Sequence, residues 1–170
     1  MKKSIYLLLL VLVLLFPYQA FALVGTCVET KTALYVERDY SVPIEGPSVI
    51  KVAFVCTASA DNATFPSTTV SDATTISIVG RKLDAVTIQN GAIPPTPLYS
   101  VVINDVSGVD VLGNAGMCIT GVANVGVQLA PWGYMSKRPM IRPIGGAVTL
   151  VITGNLVNSA VTTVTMFFVK

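Results

Sequence analysis

Residues 27–37, CVETKTALYVE, and residues 49–58, VIKVAFVCTA, are two β-forming runs, each holding one cysteine. Between them Arg38–Pro47 carries two prolines, a glycine and acidic residues, the composition of a connecting loop. If the runs pair antiparallel about a centre between Ser41 and Val42, Cys27 falls opposite Cys56. Directly opposed residues hold their Cβ atoms about 4.5–5.5 Å apart, near the span of a disulfide. The expectation is an antiparallel pair with a Cys27–Cys56 bridge. The alternative is that both thiols are small core residues on neighbouring strands.

The same grammar continues outward from this pair. No segment sustains a 3.6-residue apolar period, and short runs of Val, Ile, Thr and Tyr alternate with Gly, Pro, Asn, Asp and Ser. Strands are expected at 27–37, 49–58, 74–79, 83–89, 98–104, 109–112, 125–129, 147–153 and 161–169, about eight or nine in an all-β antiparallel sandwich. In the last run Val164, Met166 and Phe168 share one face. Ser59–Asp72 reads as a surface loop. Three prolines within Pro94–Pro97 remove ladder donors, so Ala92–Pro97 should cross between sheets or edges. Asn104–Gly108 has the residues of a tight turn. The runs 147–153 and 161–169 are expected to form a terminal hairpin closed through Gly154–Asn158.

The N-terminus orders Lys2 and Lys3, an apolar run and Ala20-Phe21-Ala22, the plan of a cleaved secretory signal peptide at residues 1–22. Ile5–Phe16 is shorter than the roughly 20 apolar residues needed to span a bilayer, so no stable membrane insertion is expected after cleavage. Residues 23–170 then form a single β-sandwich domain in a secreted or periplasmic setting, where disulfides persist. The chain has 11 basic and 9 acidic residues. Lys2 and Lys3 leave with the leader, and the balance becomes zero. A neutral chain has no field to draw it to nucleic acid, which is not expected as a partner.

Histidine is absent from the sequence, which removes Ser-His-Asp and Cys-His catalysis and the commonest zinc ligand. No glycine run has the strand–turn–helix context and lysine of a phosphate loop. Asp105 and Asp110 could serve as a carboxylate pair or calcium ligands, but they flank a turn whose chemistry already explains Asp105. No metal site, cofactor or enzymatic activity is expected. Cys118 reads either as a free thiol open to intermolecular bridging or as a small buried residue between Met117 and Ile119, the latter being preferred.

The candidate binding segment is Trp132–Arg142. Trp132, Tyr134, Lys137, Arg138 and Arg142 gather aromatic and cationic groups in an otherwise charge-poor chain, and such residues dominate interface hot spots. Protein or a surface glycan is the partner class implied, and homo-oligomerisation is open. Set against this is simple packing, with Trp132 closing the end of the core and the cations solvated.

Residues 95–116, PTPLYSVVINDVSGVDVLGNAG, resemble a segment of small, largely uncharacterised β-rich proteins encoded by bacteriophages and prophages. Arg142-Pro143 and the Thr-rich C-terminal run extend the resemblance over about residues 49–170. It implies a small, non-catalytic and virion-associated protein. The reading taken from the residues is a secreted, non-catalytic structural or interaction module. The alternatives are a phage virion decoration or fibre component and a hydrolase working through carboxylates.

Overall fold

The computed structural model describes residues 24–34, 47–133, 138–139 and 143–170; the expected leader, residues 1–22, lies outside them. The chain forms an antiparallel β-sandwich. Its larger sheet contains β1 (Thr26–Leu34), β2 (Val49–Thr57), β4 (Lys82–Asn90), β6 (Gly126–Leu129) and β10 (Val161–Val169), in the order β1-β2-β10-β4-β6. The smaller sheet contains β3 (Thr68–Thr69), β5 (Ser100–Asn104) and β9 (Thr149–Thr153), in the order β3-β9-β5.

Period-two patterning sets the inner face of the large sheet. Ile50, Val52, Phe54 and Cys56 on β2 point inward, as do Val164, Met166 and Phe168 on β10, all of them buried. From the opposite layer Val101, Ile103, Leu150 and Ile152 complete one contiguous core. The first strand pair has the expected register, with Cys27 opposite Cys56. The two cysteines are joined by a disulfide, their Cα atoms 4.0 Å apart.

Four expectations need correction. Of Thr74–Val79, Thr74–Ile78 is helical, within α1 (Asp72–Ile78), and Val79 is its C-cap. The β-branched residues suggested a strand, but Ser71 caps the helix by accepting from the Thr74 amide, Asp72 occupies the first turn, and Thr74 and Ile78 bury one face at helical spacing. Gly80 follows with φ +78°, a left-handed conformation that ends the helix at little steric cost. Residues 109–112 are turns instead of a strand. A single bridge joins Asn104 and Asp110, after which the Asp110 carboxylate takes up the Leu112 and Asn114 amides and bends the chain away.

The terminal hairpin does not form either. β9 pairs with β3 and β5, whereas β10 lies between β2 and β4. Nine residues of β10 pair with β2, while β9 offers only five. The longer ladder and two partnered edges outweigh the short connection. Gly154–Asn158 is consequently a crossover between layers, as is Ala92–Pro97, which connects β4 to β5 as expected. Finally, Ser59–Asp72 is more than a surface loop. It contributes β3 and buries Phe65 and Val70.

Candidate functional site

The Trp132–Arg142 segment leaves the large sheet at its β6 edge. β6 pairs with β4 from Gly126 opposite Gln89 to Leu129 opposite Val86. Beyond the buried Pro131 the chain forms a small hairpin of β7 (Trp132–Gly133) and β8 (Arg138–Pro139), with Trp132 opposite Pro139 and Gly133 opposite Arg138. The backbone thus places Trp132 and Arg138 on adjacent strands, one position out of direct register. Tyr134, Lys137 and Arg142 lie outside the described residues.

The return limb is anchored beside the start of β4. Pro143 bridges Lys82, the Ile144 amide donates to the Arg81 carbonyl at 2.7 Å, and the Gly80 amide donates to the Ile144 carbonyl at 2.9 Å. Arg81 braces this base from within. Its guanidinium donates to the carbonyls of Ser77 (2.8 Å), Pro47 (2.9 Å) and Ser48 (3.4 Å), so a buried cation is matched by the C-terminal turn of α1 and the entrance to β2. Sequence reading missed Arg81. The available signal was a cation directly after the helix-ending Val79-Gly80.

The other end of α1 is tied to β1. Glu29 accepts from the Ser71 amide at 2.7 Å, from the Ser71 hydroxyl and from the Thr74 hydroxyl. Lys31 donates to the Ala73 carbonyl and the Ser77 hydroxyl. These are docking contacts for the helix.

The carboxylates considered for hydrolysis are occupied by their own backbone. Asp105 Oδ1 accepts from the amides of Ser107 (2.8 Å) and Val109 (3.1 Å), forming an Asx turn. Asp110 accepts from Ile103 (3.3 Å) and Leu112 (3.0 Å) through Oδ1 and from Asn114 (2.7 Å) through Oδ2. Among the described residues no three His, Cys, Asp or Glu side chains stand close enough to hold a metal ion. Cys118 corrects the preferred expectation, because it is exposed. Ile119 turns inward to bridge Tyr99 at the flank of β5, and Cys118, at φ +58°, projects the other way.

A buried polar cluster links the layers. The Tyr99 hydroxyl donates to Asn90 Oδ1 at 2.7 Å and lies 3.4 Å from the Thr162 hydroxyl. Asn90 Nδ2 donates to the carbonyls of Thr120 and Val122. Burial pushes the Tyr99 phenol above its ordinary range, opposed more weakly by the Thr162 contact.

A feature outside the sequence-derived candidates is the outer face of the large sheet. A shallow groove of about 370 Å³ runs across it beside Leu34, Val49, Asp84, Ala85, Phe167 and Val169. At the opposite end Val28 and Val55 face each other across β1 and β2, 61 % and 45 % exposed. Thr87 and Gln128 also line the groove, and threonines separate the apolar side chains along β1 and β10.

A scan against protein-family models and a comparison with curated proteins both return no match. Among solved structures, the chain is similar to one described as the Cyanophage Pam1 capsid asymmetric unit, at 15 % sequence identity and a TM-score of 0.38, over 90 % of this chain and 89 % of that one.

Proposed function

We propose that the chain is a secreted, non-catalytic structural or interaction module, in which a rigid sandwich presents the β7–β8 hairpin to protein or a surface glycan. The observation that carries this reading is the Cys27–Cys56 disulfide, which staples the first strand onto the large sheet. Such bonds belong to oxidising compartments, the destination written in residues 1–22. The engagement of Asp105 and Asp110 in their own turns supports a structural role for the carboxylates. Among the described residues no helix is long and apolar enough to cross a membrane.

Mass spectrometry of the protein recovered from fractionated cells tests the reading. The expected polypeptide begins at Leu23, occurs in the periplasm or medium, and yields a Cys27–Cys56 linked peptide before reduction. A cytoplasmic chain that retains residues 1–22 with both thiols free would overturn it. A virion-associated role is the second reading, favoured by the resemblance of residues 95–116 to phage-encoded proteins. It requires the chain to co-purify with particles at fixed stoichiometry.

A further inference from the structure

We infer that the outer face of the five-stranded sheet is a self-association surface, on which a second copy of this chain packs about a two-fold axis running along β10. This goes beyond the interaction-module reading, which concerns export and the hairpin.

The composition of the face is the first ground. In a sandwich the strand residues that point away from the core ordinarily meet water and are polar. Here Val28, Val55, Val161 and Phe167 point outward between threonines on a face that crosses all five strands. Four strands of nine residues and one of four, about 4.8 Å apart and rising about 3.3 Å per residue, give a face of roughly 600 Å². A standard stable interface covers about 600–1,000 Å² per partner, so a copy of the same face reaches the lower end of that range.

Charge placement supplies the symmetry. β10 is the middle strand, with β2 on one side and β4 on the other. Lys51 on β2 is in register with Phe167, and Phe167 is in register with Ala85 on β4. Asp84, in the adjoining register shift, lines the groove on this same face. A two-fold axis along β10 exchanges the two sides, bringing Lys51 of each copy over Asp84 of the other. Lys82 stands two positions before Asp84, at the start of β4. The contact is isologous and closed, giving a dimer with two equivalent ion pairs around an apolar centre. The two sheets would stack about 10 Å apart with strands aligned within about 30°, as in sandwich interiors.

Sedimentation equilibrium of the exported protein, with circular dichroism to verify folding of each variant, is the test. The wild-type chain should sediment as a dimer. Phe167→Glu places two carboxylates near the axis and should leave a folded monomer. Lys51→Glu and Asp84→Lys should each weaken association by about tenfold or more, because like charges then oppose one another across the contact. The combined K51E/D84K variant should recover to within about threefold of wild type, the same pairing being restored with its signs exchanged. A wild-type monomer throughout the concentration range, or a folded Phe167→Glu dimer, would overturn the surface. Singles without effect, or a combination that does not recover, would overturn the two-fold placement. A monomer would leave the export reading standing, since that rests on the N-terminus and the disulfide.

Discussion

The two layers of this sandwich are held by different means. Three nine-residue strands, β2, β10 and β4, form the centre of the large sheet, paired backbone to backbone over nearly their full length. The smaller layer has strands of two to five residues and is completed by side chains that bond to backbone. Asn155 alone accepts from the amides of Thr96 and Val157 and donates to the carbonyls of Ala63 and Val157. Asp110 similarly binds Ile103 on β5 to the turns that follow it. Long repetitive ladders make one layer, and the shorter ladders of the other are completed by a few polar side chains.

The contrast breaks most visibly at the disulfide. Cys27 and Cys56 are separated by 29 positions, and the loop-closure model assigns a bridge of this span about 3.5 kcal/mol. Cys27→Ala with Cys56→Ala should lower the unfolding free energy measured by urea denaturation by about that amount. Among the described residues β1 is paired on one side only, so amide exchange should accelerate there before it does in β10. Equal acceleration in both strands would mean that the large sheet does not loosen from its edge.

Asp110→Ala probes the other layer and should cost about 2 kcal/mol, since three amides lose their acceptor while water can reach part of the turn. Hydrogen exchange at Leu112 and Asn114 should rise sharply, with little change at Val164 or Met166 in the opposite sheet. Uniform acceleration across both layers would show that the irregular segment is part of one cooperative unit with the ladder.

The division also governs what the sequence reveals. Cys27, Cys56 and the loop centre between Ser41 and Val42 specify a register because a ladder propagates it residue by residue. The inward set Val164, Met166 and Phe168 is likewise readable, because period two is local. The position of β10 was not, since it depends on the lengths of β2 and β4, far away in sequence. α1 was hidden by β-branched residues, its decisive signal being the single cap at Ser71. The Trp132–Arg142 segment was visible as composition, and its hairpin register needed the fold. The outer face was hidden because strands that are apolar at both parities, as in β2 and β10, resemble strands covered on both sides.

Tyr99 is where the two layers are tied together, and its removal should have the smallest effect of the three. Tyr99→Phe keeps the ring in the core but removes the donor to Asn90 Oδ1, which retains only a long contact with the Thr162 hydroxyl at 3.5 Å. The expected cost is about 1 kcal/mol. Its pH dependence has a definite sign. The fold favours the neutral phenol and raises its pKa, so the unfolded chain loses this proton first. The stabilisation is complete below about pH 10, the ordinary phenol value, and falls as pH climbs through the higher folded value. Wild type should therefore lose stability in this alkaline window more steeply than Tyr99→Phe, and the difference between the two should shrink as pH rises. Parallel profiles for the two proteins would show that the phenol ionises as readily folded as unfolded, and that packing alone, without a buried polar tie, joins the repetitive layer to the irregular one.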